Sequence, residues 1–99
     1  MQQTLERRHS PIRRKTQVPA EVFSAGVPMS AVIENVSFDG MNLSLPHNLA
    51  YGTPVAICFF GKRIGAVVQW SRGRQAGVRL VERLSGQTLI ALEKHESDA

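Results

Sequence analysis

Apolar and polar residues alternate with a period of two along most of this chain, and the alternation breaks at short polar or glycine-containing clusters. Val18, Ala20 and Val22 alternate with other residues until Ala25-Gly26, and Met29, Ala31 and Ile33 resume the same period. Such spacing marks half-buried strands, because successive side chains of an extended chain leave opposite faces. After a break at Asn35–Gly40, Met41, Leu43 and Leu45 alternate with Asn42 and Ser44. A loop follows through Pro46, His47, Asn48 and Tyr51-Gly52. The run Val55–Phe60 is apolar throughout, which predicts a fourth strand, centrally placed and covered on both faces. Gly61-Lys62 predicts a tight turn into a fifth strand carrying Ile64, Ala66, Val68 and Trp70. Ser71-Arg72-Gly73-Arg74 then turns into a sixth carrying Ala76, Val78 and Leu80.

Only the last segment changes period. Leu84, Thr88, Leu89 and Leu92 fall on one side of a helix that Ser85 caps, with Lys94 and His95 in its last turn, where cations are favoured. Residues 1–15 show no sustained apolar period and include Pro11, so they are expected as a flexible basic arm. Residues 16–97 are then an all-β domain with one C-terminal helix. A six-stranded antiparallel β-barrel, closed to hide its edges, fits this order of elements, and so does an open sheet covered by the helix.

Composition narrows the function. With 99 residues, 42% of them hydrophobic and 20% charged, the chain suits one domain with a modest core. The net charge of +4 is unevenly placed: Arg7, Arg8, Arg13, Arg14 and Lys15 crowd the first fifteen positions, whereas Glu82, Glu93, Glu96 and Asp98 lie near the other end. An anionic partner for the arm, or a merely solvated tail, follows from that asymmetry. Cys58 is the single cysteine, so no intramolecular disulfide or cysteine-built zinc site forms, and His9, His47 and His95 lack ligand spacing. No apolar run approaches the roughly 20 residues that span a bilayer, and no signal-peptide core is evident. The expectation is a soluble cytoplasmic protein without metal, cofactor or membrane partner. Ser37 lacks sequence-apparent His and Asp partners, and there is no phosphate-binding loop of the Walker type, so a binding module is expected rather than an enzyme.

The chemistry-bearing residues fall in two places. Four of the arm's five cations are arginines, whose planar forks make paired hydrogen bonds to phosphate or to a guanine edge and stack on bases. In the Asn35–Gly40 break, the Asn35 amide both donates and accepts, and Ser37 follows two residues on, towards the same side of an extended strand. Gly40 either takes a positive φ or lets a ligand approach the backbone. Asn, Ser, Asp and Gly are equally the residues of an ordinary turn. Trp70 is read as a core or barrel-end residue ahead of a stacking platform, the alternative being a partly exposed indole that meets a base. Phe38 is read as packing that orients the turn, and Arg72 and Arg74 as solvated hairpin residues.

A basic arm before the first strand, followed by Asn35-x-Ser37-x-x-Gly40 between the second and third, resembles the PilZ domain, a bacterial receptor module for cyclic di-GMP. The segments Val67–Trp70 and Gly77–Leu80 also look like that family's penultimate hairpin, so the resemblance spans roughly residues 5 to 95. It implies a six-stranded barrel with a following helix, an arm that orders over the nucleotide, and Arg7, Arg8, Arg13, Arg14, Asn35, Ser37 and Gly40 as ligand-binding residues. It also implies second-messenger signalling to a downstream protein, with motility, biofilm or cellulose-type outputs undistinguished. The family's Arg-x-x-x-Arg spacing is not met: four residues, not three, separate Arg8 from Arg13. Either Ser10-Pro11 bulges and keeps this pair functional, or the chain is a degenerate adaptor that binds a protein partner without nucleotide. A small-barrel nucleic-acid binder is the remaining option. With few aromatics, mostly inside apolar runs, no DNA or RNA partner is expected.

Overall fold

A computed structural model describes residues 14–97 of the chain. Six strands form a closed antiparallel barrel: β1 (Arg14–Ser24), β2 (Val27–Val36), β3 (Gly40–Ser44), β4 (Pro54–Phe59), β5 (Lys62–Arg72) and β6 (Gln75–Leu80), followed by the helix α1 (Gly86–Ser97). Around the barrel the order is β1-β2-β3-β6-β5-β4, and β4 closes the ring onto β1. Closure pairs β1 with β4, so that neither is a free edge strand, and decides between the two architectures that the sequence pattern allows.

The alternation seen in the sequence fills the barrel. Val18, Val22, Ile33, Val36, Ile57 and Val68 are fully enclosed, with Met41, Leu43 and Ala66 almost so. Each large side chain of this kind contributes about 1.5–3 kcal/mol when taken out of water. Within the closed ring β4 has no special central place. Its inward set is Val55, Ile57 and Phe59, while Ala56 and Cys58 on the outer face are half-buried.

Three hairpin turns set the register. Ala25–Gly26 (φ 51° and 82°) and Phe60–Gly61 (φ 50° and 74°) both hold two consecutive left-handed residues, the type I′ geometry whose twist suits a hairpin. The second lies one residue before the expected Gly61-Lys62: Phe60 is a turn residue, and Lys62 already pairs with Phe59. Similarly, Ser71 and Arg72 belong to β5, leaving Gly73–Arg74 as the turn.

The helix begins where its cap dictates. The Ser85 hydroxyl accepts the Thr88 amide at 3.1 Å, and the Ser85 carbonyl accepts the Leu89 amide at 3.0 Å. Leu84, expected on the helix, lies just before it but is buried with Leu89 and Leu92. The helix packs mainly on β1, where the buried Thr16 hydroxyl donates to the carbonyl of Leu92.

Candidate functional site

The β2–β3 corner is shaped by an extra residue. Ile33 faces Leu43 and Asn35 faces Asn42, so Glu34 is a bulge that breaks the strict alternation. As a result Val36 turns into the core, and Asn35 remains half-buried on the outer side beside Asn42.

Beyond Val36 the chain closes on itself. The Ser37 amide donates to the Gly40 carbonyl at 2.9 Å, and the Gly40 amide donates to the Ser37 hydroxyl at 3.2 Å. That hydroxyl also donates to the Gly40 carbonyl at 3.4 Å, and Ser37 as a whole is only 2% exposed. Ser37 therefore builds the turn first, and its oxygen is not an open ligand group. Gly40 is required for a reason the sequence did not offer: a β-carbon there comes within 2.9 Å of the Val78 carbonyl on β6. It is neighbouring backbone, rather than a positive φ, that excludes a side chain.

The corner is also tied to the linker that follows β6. The amide of Leu80 donates to the Asp39 carbonyl at 2.7 Å, and that of Leu84 to the Phe38 carbonyl at 2.9 Å. The Arg83 guanidinium lies 5.1 Å from the Phe38 ring centre, with its Nε 3.4 Å from Asp39 Oδ1. Phe38 packs against the core and orients the turn, as its position in the sequence suggests.

An open cavity of ≈ 240 Å³ adjoins this turn, and its walls include Ser37, Asp39, Gly40, Asn42, Trp70 and Arg79. Arg79 escaped the sequence reading, and Trp70 lies on the other face from the one expected. Trp70 was expected inward, in step with Ala66 and Val68. A bulge between Val68 and Trp70 reverses its side, so it pairs with Gly77 on the outer face and is 42% exposed. Gly77 makes room for it: a β-carbon there would come within 2.1 Å of the indole nitrogen. Arg79 follows on the same face of β6 and is exposed. Neither is marked in the hydrophobic pattern: Trp70 changes side at the bulge, and Arg79 is a lone outward cation that pairs with Gly40.

Of the arm residues, Arg7, Arg8 and Arg13 lie outside the described residues. Arg14, expected in the arm, opens β1 opposite Val36, and Lys15 faces Asn35. The arm therefore enters the barrel directly against the Asn35–Gly40 corner. Among the described residues no cluster of His, Cys, Asp and Glu is placed to hold a metal ion, and no helix is long and apolar enough to cross a membrane.

The family model described as "PilZ domain" matches residues 6–95. A solved structure, the crystal structure of the PilZ domain of CeSA from a cellulose-synthesizing bacterium, shares this architecture with a TM-score of 0.60. The two are 20% identical, over 88% of this chain and 96% of that one, so the likeness is one of fold. No curated protein matches the sequence.

Proposed function

Because the chain belongs to the PilZ domain family, we propose that it is a receptor for cyclic di-GMP whose arginine-rich arm closes over the nucleotide at the β2–β3 corner. One observation carries this: Arg14 is registered against Val36 and Lys15 against Asn35, so the arm emerges beside the motif. Arg8 and Arg13 supply paired hydrogen bonds to phosphate and guanine, with Arg7 and Arg14 supporting. Asn35 and the backbone at Gly40 offer polar contacts, and the Ser37 hydroxyl holds the turn that presents them. Arg79 adds a cation on the cavity wall, and the exposed indole of Trp70 provides a face on which a base stacks. No step of chemistry is needed; the protein acts as a cytoplasmic bacterial binding module. Neutralising the arm's charge and fixing its shape creates the surface that a downstream protein reads. Titration calorimetry with cyclic di-GMP tests this, with saturable binding at micromolar Kd or tighter as the expected result.

A second reading has two observations in its favour. The Ser37 hydroxyl is already engaged within its own turn, and the arginine pair departs from the family spacing. On that reading the domain is an adaptor that binds a protein and leaves the nucleotide alone. Amide shifts at Asn35–Gly40 on adding cyclic di-GMP separate the two: present for the receptor, absent for the adaptor.

A further inference from the structure

On the far side of the 81–84 linker, β5 begins with an uncovered edge. Lys62–Gly65 pair with β4, whereas β6 joins β5 only from Ala66 onward. Because Phe60–Gly61 is a two-residue hairpin turn, the flanking pair Phe59/Lys62 exchanges hydrogen bonds and the next pair, Cys58/Arg63, does not. The peptide groups of Arg63 therefore point away from β4. The Gly65 carbonyl points the same way and accepts the Val81 amide at 3.0 Å. Among the described residues, no strand pairs the stretch of edge before Gly65.

This edge borders a cavity of ≈ 310 Å³ with an apolar side formed by Ile64, Val81 and Leu84. Val81 is 70% exposed beside it, although nothing in the turn chemistry requires an apolar residue there. Arg63 and Arg83 line it with the single carboxylate of Glu82. The exposed Arg63 side chain rests its guanidinium over the Phe23 ring, and Arg83 rests over Phe38, so each must swing to meet a ligand in the groove. The combination is specific: backbone groups open to an extended chain, an apolar recess for one side chain, and a net positive rim.

We propose that this groove docks an extended acidic–apolar segment of a partner protein. The segment adds as a short strand to the Lys62–Gly65 edge, seats an apolar side chain on Ile64, Val81 and Leu84, and sets carboxylates against Arg63 and Arg83. Charge disfavours the chain's own arm as the occupant, since Arg7, Arg8, Arg13, Arg14 and Lys15 carry the same sign as the rim. The open peptide groups favour an extended segment over a helix, whose backbone is satisfied internally. Arg83 also contacts Asp39 and Phe38 of the corner, so a partner carboxylate competes with Asp39 for the same guanidinium. The groove stands apart from the nucleotide corner, and the proposal holds whether or not the nucleotide binds.

The test is a nucleotide-free NMR titration of the full chain with capped hexapeptides of alternating glutamate and valine, using alternating lysine and valine as the control. Shifts centred on residues 62–65 and 81–84 with the glutamate peptide alone, a smaller shift at Asp39 as Arg83 is drawn from it, and slowed exchange of the Arg63 amide are expected. Arg63→Glu and Val81→Glu, both at exposed positions, should each weaken binding by about tenfold or more, as lost charge-assisted contacts and like-charge repulsion do. No shifts at the peptide's solubility limit would overturn the proposal. So would equal shifts with the lysine peptide, shifts centred on Asn35–Gly40, or a peptide-free dimer that buries these residues.

Discussion

The indole of Trp70 occupies the space that a side chain on Gly77 would fill: an ideal β-carbon there lies 2.1 Å from Nε1 and 2.6 Å from Cε2. This cross-strand pair fixes the aromatic ring on the outer face beside the motif. Gly77→Ala must therefore displace the ring. Trp70 is the only tryptophan, so its emission reports the change without ambiguity. A shifted emission maximum and weaker nucleotide binding, in a protein that still folds, are expected. Unchanged emission contradicts the packing described.

Trp70→Ala isolates the ring's contribution. Base stacking on an aromatic side chain is worth about 1–3 kcal/mol, so affinity for cyclic di-GMP should fall by at least ~5-fold. Calorimetry checks it. Because the ring is 42% exposed, the thermal midpoint should move less than for a buried aromatic.

Gly40→Ala acts on the fold rather than on the ligand. The new methyl meets the Val78 carbonyl at 2.9 Å, a backbone atom held by the β3–β6 pairing and so slow to yield. Overpacking of this sort costs about 1–3 kcal/mol. Denaturant unfolding should show that loss with no nucleotide present. Stability equal to wild type would return the glycine to a ligand-contact role.

Arg83→Ala should leave stability nearly unchanged, by less than about 1 kcal/mol, because its contact with Asp39 joins side chains that are 70% and 54% exposed. Ser85→Ala is the counterpart with a measurable cost. It removes the oxygen that accepts the Thr88 amide, and loss of such a cap costs about 0.5–2 kcal/mol. Faster hydrogen exchange at the first turn of α1, with the barrel strands unaffected, is the expected signature.

Much of the barrel was legible because its inward positions keep a period of two: Val18 and Val22, Ala31 and Ile33, Met41 and Leu43, Val55 and Ile57, Ala66 and Val68, Ala76 and Val78. What periodicity cannot carry is a change of parity. The bulge at Glu34 turns Val36 inward, and the one before Trp70 turns the indole outward, yet neither leaves a mark in the hydrophobic pattern. Phe60 was read as strand because it extends an apolar run. Its left-handed φ of 50° is imposed by closure of the hairpin and not by any preference of phenylalanine. At the site, Ser37 and Gly40 stand out in the sequence as a pair, but hydrogen-bond geometry was needed to see that each serves the turn. Arg79 was missed because a single cation on an outward strand position looks like any solvated residue until its neighbours are known.

The central claim is that arginines of residues 7–14 close over a cyclic dinucleotide at the Asn35–Gly40 corner, and calorimetric titration of the wild type beside the Arg8→Ala/Arg13→Ala double variant tests it most directly. Charge-assisted hydrogen bonds contribute roughly 1.5–3 kcal/mol each, so the double variant should bind at least ~10-fold more weakly than a wild type that binds at micromolar Kd or below. Equal affinities for the two proteins, or no heat of binding from the wild type, would contradict it.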